Sequence, residues 1–246
     1  MFNFRAWFLV TVLSIAGTLP ADASAFNAAQ SEEIGKIASE YLVAHPEVLL
    51  EALKKLEQVQ AEVQVENVKK AGDHYRTDAQ TPSVGSSKAP HYIVEFFDYY
   101  CGYCKYMEPM MQRLSKEHGE QVQVIYVNLP VISKASAKAA SVGQAIFDLD
   151  KERYFDFHRI MMSEEIDGND LDNLKAVTQR VGLDWDKVLN EMKSKTPQEK
   201  LTSDLQLSHE LGISGTPYFI IDGKEYRGAV QNYDSLLALV GADQKK

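Results

Sequence analysis

Cysteine is scarce in this chain: its 246 residues include only two, and they stand together as Cys101-Gly102-Tyr103-Cys104. A zinc site needs four ligands, usually from two such pairs or from one pair plus histidines. No second pair exists, and the six histidines are scattered with no HxxxH-type spacing. A disulfide across so short a loop would fix little chain entropy and would be a poor structural staple. The motif therefore favours a redox-active dithiol over structural zinc and over a purely structural disulfide.

Positive charge is also in deficit, with 26 Lys and Arg against 35 Asp and Glu and a formal net charge of −9. This balance argues against nucleic acid and against anionic membrane surfaces as partners. No segment after the N-terminal region is apolar enough to span a bilayer, and no internal repeat or long low-complexity run occurs. A composition that is 45% hydrophobic and 25% charged predicts one good core with a small extra domain.

The N-terminus has the pattern of a secretory signal peptide. Arg5 precedes an apolar stretch from Ala6 to Ala16, and Ala23-Ser24-Ala25 follows as a small-x-small cleavage pattern. The alternative is a membrane anchor, but the apolar run is shorter than the roughly 20 residues that a span needs. We expect cleavage after Ala25, so that residues 1–25 are removed and the mature protein works in an oxidising compartment such as the periplasm. There, a lone pair of cysteines is more typical of catalysis.

Residues 26–77 show no strand pattern and are predicted to be helical. The sequence predicts one helix over Ser31–Val43 and a second that starts at Pro46, a residue suited to the first helical turn. The second helix carries an apolar stripe at steps of three and four residues, formed by Leu49, Leu53, Leu56, Val59 and Val63.

Such a segment has too little mass to bury this stripe by itself. Either it folds back on the main domain, or it packs against another copy of itself, and the length of the stripe favours oligomerisation. Residues 78–90, rich in Pro, Gly and Ser, are predicted to be a linker to the next domain.

Residues 91–246 have the pattern of an α/β domain. A strand over His91–Tyr100 leads into the two cysteines, and a helix over Lys105–Lys116 and a strand over Val122–Asn128 follow. Residues 133–210 are almost wholly helical, and a hairpin with Asp222-Gly223 at its turn precedes a closing helix. This order predicts a thioredoxin fold with an inserted helical domain, preceded by the N-terminal α-helical oligomerisation segment.

The position of the cysteines at a strand-to-helix turn suits redox chemistry. The first sulfur lies at a helix N-terminus, where free N–H groups and the helix macrodipole favour a thiolate. Two intervening residues allow the second sulfur to reach back and resolve a mixed disulfide.

Two stretches carry a resemblance to a known family, residues 95–105 (EFFDYYCGYCK) and residues 212–219 (GISGTPYF). From about His91 to its end, the chain resembles the DsbA family of thioredoxin-like thiol–disulfide oxidoreductases. The N-terminal part is similar to the helical extension of the ScsC-like branch, through Tyr41-Leu42, Pro46-Glu47-Val48 and Ala52-Leu53. In that branch the extension makes dimers or trimers, and the resemblance implies a homodimer or homotrimer here.

The resemblance also implies roles for the residues of the motif. Cys101 is the exposed nucleophile and Cys104 the partly buried resolving thiol, while Gly102 and Tyr103 tune the pair. Gly102 leaves backbone N–H groups open near the Cys101 sulfur. Because Tyr103 stands where the most oxidising members have a histidine, no added positive charge holds the thiolate, and we expect a less extreme potential. Glu95 matches the buried acid of the family and would shuttle protons to Cys104, rather than being an exposed strand residue.

Thr216-Pro217 matches the family's cis-proline loop, which faces the dithiol and pairs with an extended substrate through the backbone of Thr216. A trans proline that opens a strand is the alternative. The aromatic cluster around the motif is partly core, but Tyr99, Tyr103 and Tyr106 could instead border an apolar groove for unfolded substrate. A last group, Met107, Met110 and Met111, could be ligands of Cu(I), but their helical spacing favours core packing.

Three functions are consistent with the sequence. The first is a periplasmic oxidoreductase that forms and isomerises disulfides in unfolded or misoxidised secreted proteins, without a metal or cofactor beyond the Cys101–Cys104 disulfide. Its membrane redox partner would be DsbB-like or DsbD-like. The second is a monomeric dedicated oxidase, and the third is a non-enzymatic copper-binding protein or chaperone.

Overall fold

The computed structural model describes residues 26–242, so the predicted signal peptide lies outside the described residues. The described residues form two compact units that divide after Gln58. The helices are α1 (Ala28–Ala44), α2 (Pro46–Thr77), α3 (Gly102–His118), α4 (Lys134–Leu149), α5 (Lys151–Ser163), α6 (Leu171–Arg180), α7 (Trp185–Met192), α8 (Lys195–Glu210) and α9 (Tyr233–Leu239). The strands are β1 (Ser83–Val84), β2 (His91–Phe97), β3 (Val122–Asn128), β4 (Tyr218–Ile221) and β5 (Lys224–Arg227).

The first unit is helical, as predicted. Helix α1 begins at a capping box, in which the side chains of Asn27 and Gln30 each accept a hydrogen bond from the other residue's backbone N–H. Helix α2 begins at Pro46, where a missing N–H costs nothing. No residue of α1 is buried. Large apolar side chains of this unit are instead exposed, namely Phe26, Ile34, Ile37, Tyr41, Val43, Val48, Leu49, Leu50, Leu53 and Leu56.

The end of α2 belongs to the second unit, and this differs from the predicted boundary between Thr77 and Asp78. The compact units divide after Gln58. The reason is that Val68, Ala71 and Tyr75 are buried in one apolar cluster with residues of β2 and β4. The predicted linker, residues 78–90, also contributes structure, because β1 lies within it and pairs with β3.

The five strands of the described part of the chain form one sheet in the order β1-β3-β2-β4-β5. Strands β2 and β3 run parallel, and every other neighbouring pair is antiparallel. The predicted hairpin is confirmed: Asp222 (φ 47°) and Gly223 (φ 78°) both adopt positive φ, as a tight turn between two strands requires. The thioredoxin-like order of strand, helix, strand, helical block, hairpin and helix is therefore present.

Side chains of β2 alternate between two cores. Ile93 and Phe97 face the larger core, which also includes α3 and the helical insertion, whereas Val94 and Phe96 face the core that contains the end of α2. The predicted insertion consists of α4 to α8, with α4 packed against α5, α7 and α8. Within residues 26–242, none of the helices combines the length and the apolarity that crossing a bilayer requires.

Candidate active site

The two cysteines lie where β2 gives way to α3. Cys101 is the N-cap residue of α3 and has an extended backbone (φ −81°, ψ 114°), while Cys104 lies within the first turn of the helix. The backbone N–H of Cys101 donates to the carbonyl of Asp98 at 3.0 Å, and its own carbonyl accepts from Lys105 at 3.0 Å. The turn therefore places both sulfurs at the helix N-terminus, as the sequence predicted.

The sulfurs differ in exposure. Both cysteines are free thiols in this structure. Cys101 is 6% exposed and Cys104 is not exposed at all. The prediction of an exposed Cys101 was wrong, because Cys101 packs in the larger core and its sulfur lies against the carbonyl of Thr216, and Cys104 is fully rather than partly buried. Cys101 is the more exposed of the two cysteines.

The sulfurs also differ in acidity. A hydrogen bond from the Cys104 thiol is the largest of the interactions that lower the pKa of Cys101 to about 5, against the effect of burial. Thr216 and the backbone N–H groups of Cys104 and Tyr103 also lower it. The same bond to Cys101, together with burial and the nearby Glu95, raises the pKa of Cys104. At neutral pH, Cys101 is thus the thiolate and Cys104 holds the proton.

The two residues between the cysteines are exposed. Tyr103 is 69% exposed and lies at the surface beside the dithiol. A Cβ added at Gly102 would meet no heavy atom within 4 Å, so the fold does not require a glycine there for space. The backbone N–H groups that stabilise the thiolate are those of Tyr103 and Cys104.

The loop before β4 lies beside Cys101. The peptide bond between Thr216 and Pro217 is cis. The Cys101 sulfur lies 3.3 Å from the carbonyl oxygen of Thr216, within hydrogen-bonding distance of a thiol. The structure thus brings together two segments that are 115 residues apart in the sequence.

Glu95 lies on the same face of β2 as Ile93 and Phe97 and is 1% exposed. Neither of its carboxyl oxygens has a hydrogen-bond partner among the described residues. Burial, followed by the nearby Glu108 and Cys101, raises the pKa of Glu95 well above its usual range. This environment favours the protonated form of the carboxyl group, which can then donate its proton.

Three further polar residues near the dithiol were not singled out by the sequence. Asp98 is fully buried, and its carboxylate accepts hydrogen bonds from the backbone N–H groups of Tyr100, Val131 and Ile132. Glu108 and His158 form a buried pair, with 3.2 Å between Oε2 and Nε2. Glu108 follows Cys104 by one helical turn, and that spacing could have identified it. His158 is 50 residues away, and no local pattern marks it.

The tyrosines that were predicted to border a groove separate into two groups. Tyr103 and Tyr106 are 69% and 51% exposed, respectively. Tyr99 is 1% exposed and packs edge-on against Phe97 and Phe157, so this part of the prediction was wrong. The stretch from Phe96 to Tyr100 is buried almost throughout, and period-two alternation alone did not reveal that Tyr99 turns inward after β2 ends.

The core interpretation of the methionines is confirmed for two of them. Met107 and Met111 are fully buried in the larger core, and Met110 is half-buried against it. Among residues 26–242, no group of three or more His, Cys, Asp or Glu side chains is placed to hold a metal ion.

A family model described as thioredoxin matches residues 77–242, and a second, described as the N-terminal domain of the copper resistance protein ScsC, matches residues 30–62. The chain belongs to the DsbA family of thioredoxin-fold proteins. It is ScsC-like within that family, because both its catalytic part and its helical N-terminal part are matched.

Individual relatives support the same placement. The chain is 27% identical over 173 residues to a probable disulfide bond formation protein D of Bacillus cereus, covering 67% of this chain and 79% of that protein. A crystal structure of Proteus mirabilis ScsC in a transitional conformation is 28% identical, with a TM-score of 0.62, and covers 89% of this chain and 96% of its own. The thiol–disulfide exchange protein α-DsbA2 of Wolbachia pipientis is 26% identical, with a TM-score of 0.66, and covers 75% and 97%, respectively.

Thioredoxin-like proteins of this family are thiol–disulfide oxidoreductases that use a cysteine pair and no further cofactor. An oxidoreductase role for this chain follows from its family, and the site supplies a cysteine pair with the required difference in acidity.

Proposed function

We propose that this protein is a periplasmic thiol–disulfide oxidoreductase that forms and isomerises disulfides in secreted proteins through Cys101 and Cys104. The observation that carries the proposal is the arrangement of the two sulfurs. One is a thiolate on the more exposed cysteine, beside the Thr216 carbonyl, and the other is a buried thiol near Glu95, whose pKa is raised by burial. A periplasmic location agrees with the predicted signal peptide and with the oxidising conditions that disulfide formation needs.

In the oxidising direction, a substrate thiolate attacks the Cys101 sulfur of the Cys101–Cys104 disulfide. A mixed disulfide forms between the substrate and Cys101, and Cys104 leaves and takes a proton from Glu95. A second substrate thiolate then attacks the substrate sulfur of the mixed disulfide. The substrate is released with a new disulfide, and the protein is left with two reduced cysteines.

In isomerisation, the reduced protein acts without net redox change. The Cys101 thiolate attacks an incorrect substrate disulfide and releases one substrate thiolate. That thiolate attacks elsewhere in the substrate, and the final exchange returns Cys101 as a thiolate. The low pKa of Cys101 keeps the attacking species populated at neutral pH.

Isomerase activity is favoured over that of a monomeric oxidase by the exposed apolar side chains of α1 and α2, which are expected to join copies of the chain into a dimer or trimer. An oligomer would place several dithiols around one misfolded substrate. The similarity of residues 30–62 to the ScsC N-terminal domain supports the same view. The physiological partner would be a membrane protein that reduces the dithiol, DsbD-like, or one that oxidises it, DsbB-like.

A trapping experiment tests the assigned chemistry. In a Cys104→Ala variant, the mixed disulfide between Cys101 and a substrate protein lacks its resolving thiol and is expected to accumulate. Mass spectrometry after thiol quenching should find substrate peptides linked to Cys101. A Cys101→Ala variant serves as the matched control and is expected to trap no substrate, because Cys104 is buried. Trapping through Cys104 would contradict the assignment, and full function in cells of a Cys101→Ser variant would favour a non-enzymatic role.

A further inference from the structure

The proposed reaction steps do not use a buried pair near the dithiol, Glu108 and His158. The two residues belong to α3 and α5 and are 4% and 2% exposed, respectively. Nε2 of His158 lies 3.2 Å from Oε2 of Glu108, and the side-chain amide of Gln112 donates to Oε1 of Glu108 at 2.8 Å. Both oxygens of the Glu108 carboxyl group therefore have a partner, which fixes its orientation.

The second ring nitrogen of His158 has no such partner. Within residues 26–242, Nδ1 is buried without a hydrogen bond. Aromatic rings pack around the imidazole, with centroids 4.8 to 5.8 Å from its own, and they belong to Phe97, Tyr99, Tyr126 and Tyr154. Packing thus holds the ring in place, while Nδ1 stays free to accept a proton.

A surface cavity of about 510 Å³ reaches the pair. Its walls come from β1, α3 and α5, and both Glu108 and His158 contribute to its lining. Other polar side chains of the lining include Ser83, Gln112 and Arg159. A polar cavity of this size holds several water molecules, each of which takes up about 30 Å³ in the liquid. The pair therefore lies between solvent and the interior of the second unit.

Glu95 lies on the interior side of the same region. In the register of β2 and β3 it is paired with Tyr126, and the next residue of β2 on its face is Phe97. The rings of Tyr126 and Phe97 each lie 4.8 Å from the imidazole of His158. After burial, the charge of Glu108 is the largest of the effects that raise the pKa of Glu95. The sheet thus brings Glu95 and the pair into one buried region.

The proposed chemistry requires a proton to reach Glu95. When Cys104 leaves the disulfide and takes the proton of Glu95, a carboxylate and the Cys101 thiolate remain together in the interior. Burial, Glu108 and Cys101 all raise the pKa of Glu95, so the carboxylate regains a proton. Because Glu95 is only 1% exposed, this proton has to reach it through other groups of the interior.

Building on the proposed function, we propose that His158 is a positioning residue through which Glu95 exchanges its proton with solvent in this cavity, by way of Glu108. The proton on Nε2 of His158 moves to Oε2 of Glu108, and Glu108 passes a proton on to Glu95. The imidazole takes a proton from solvent at Nδ1. Each step moves one proton and breaks no other bond. His158 touches neither sulfur and acts only through the two carboxyl groups.

The direct test is the rate at which the proton of Glu95 exchanges for deuterium in the reduced protein, without any substrate. After rapid mixing into D₂O at mildly acidic pH, infrared spectroscopy follows the C=O stretch of the Glu95 carboxylic acid, which shifts on deuteration. The loss of this band in Glu95→Gln identifies it. Exposed carboxyl groups exchange within the mixing time and do not interfere.

Two variants interrupt the route at different points. His158→Phe keeps a ring among the aromatic side chains but carries no exchangeable proton, and Glu108→Gln keeps the shape of the side chain but removes the acid. Phe157→Leu is the matched control, because Phe157 precedes His158 in α5 and is fully buried in the same core. Circular dichroism and thermal unfolding establish that each variant is folded, and amide exchange of β2 measures opening of the sheet.

In the wild type, we expect the proton of Glu95 to exchange faster than the amide protons of β2. Exchange should slow by about tenfold or more in His158→Phe and in Glu108→Gln, because it then waits for local opening of the fold. Combining the two variants should slow it no further, since both interrupt one route. Phe157→Leu should keep the wild-type rate.

Chemical rescue separates proton transfer from a structural role of the ring. In His158→Gly, imidazole added to the buffer should restore fast exchange of the Glu95 proton. Pyrazole has a similar size but is hardly basic, and it should not restore the rate. Equal rescue by both compounds would overturn the proposal, and so would equal exchange rates in the wild type and His158→Phe. If the histidine variants failed to fold, an unchanged rate in Glu108→Gln would overturn it alone.

This outcome is separable from that of the proposed function. The exchange measurement does not require Cys101 to react with any substrate, so a protein that failed to isomerise disulfides would still show the dependence on His158. Conversely, an active isomerase whose Glu95 exchanged independently of His158 would receive its proton by another route.

Discussion

At the scale of single residues, the two sulfurs share a proton unequally, and Cys104 holds it. Cys104 donates to Cys101, which lowers the pKa of one thiol and raises that of the other. The helix N-terminus, which the sequence predicted to favour a thiolate, also lowers the pKa of Cys101, through the backbone N–H groups of Tyr103 and Cys104. The larger effect comes from the second cysteine itself.

The dependence on Cys104 is testable by replacing it. We expect thiolate absorbance at 240 nm in the reduced protein to titrate with a midpoint near pH 5, the pKa of Cys101. In Cys104→Ala the midpoint should rise, because the main hydrogen-bond donor is removed. Cys104→Ser retains a hydroxyl donor, and its midpoint should lie between the other two. An identical midpoint in wild type and Cys104→Ala would show that backbone groups alone set this pKa.

The depressed pKa of Cys101 also predicts how the stability of the reduced protein changes with pH. A thiol whose pKa is lower in the folded state stabilises that state above its unfolded pKa, near 9, and the contribution is lost as the pH falls towards 5. Over that window, the free energy of unfolding should fall more in the reduced wild type than in Cys101→Ser. Urea unfolding of both proteins between pH 5 and pH 9 measures this difference, and parallel curves would contradict the assigned thiolate.

Glu95 yields a prediction with two separable readouts. Glu95→Gln keeps the shape but has no proton to give Cys104, so we expect reduction of the enzyme disulfide to slow by about a hundredfold in stopped-flow measurements. Because burial raises the pKa of Glu95, its ionisation destabilises the folded state as the pH rises above about 4, the unfolded value. The free energy of unfolding of the wild type should therefore fall relative to that of the variant as the pH rises above this value, up to the raised pKa of Glu95. Glu120→Gln, at an exposed position, controls for loss of charge.

At the scale of secondary-structure elements, a buried ionic cluster attaches the end of α2 to α8. Lys200 lies 2.5 and 2.7 Å from the two carboxylate oxygens of Asp204, and 3.4 Å from Asp78. Tyr75 of α2 donates to Asp204 at 3.1 Å. The ammonium group of Lys200 is thus buried against two carboxylates in a region where an unpaired charge is costly.

Breaking this cluster should destabilise the second unit strongly. We expect Asp204→Ala to lower the free energy of unfolding by about 3–5 kcal/mol, since it leaves Lys200 buried without its main partner. The double variant Lys200→Met and Asp204→Leu removes both charges and should recover most of the loss. Asp73→Ala, which breaks the exposed Lys69–Asp73 pair, should change little. Equal losses for the buried and the exposed pair would contradict the role of burial.

Elements were predictable from the sequence where the pattern is local. Local patterns predicted three elements around the site. These are the strand before the cysteines, the helix after them and the hairpin with Asp222-Gly223 at its turn. The sequence predicts a linker where β1 lies, because two residues, Ser83 and Val84, are too few to show the alternation of a strand. They form a strand only through their pairing with β3. The bonds of Asp98 and the Glu108–His158 pair join distant segments, so tertiary structure alone reveals them.

At the scale of the whole molecule, the first unit exposes large apolar side chains. Leu49, Leu53 and Leu56 are each about half exposed at helical spacing on α2. Their burial between copies of the chain would stabilise a dimer or trimer by roughly 25 cal/mol for each Å² of apolar surface removed from water.

If the proposed oligomer forms through this stripe, charged replacements there should dissociate it. We expect Leu49→Glu with Leu53→Glu to give a monomer in light scattering coupled to size exclusion. Lys55→Gln with Gln58→Glu makes the same change in net charge on the opposite side of the helix and should leave the mass unchanged. If wild type and both variants have the same monomeric mass, the first unit serves another purpose.

The most direct measurement of the central claim is reactivation of scrambled ribonuclease by the mature protein in a glutathione buffer. We expect strong reactivation by the wild type, none by Cys101→Ser, and a marked loss in the Leu49/Leu53 variant, which should still oxidise reduced ribonuclease. Rapid oxidation of reduced ribonuclease without reactivation of the scrambled form would contradict isomerisation and identify a dedicated oxidase. Full reactivation by the monomeric variant would show that the dithiol isomerises without its N-terminal helices.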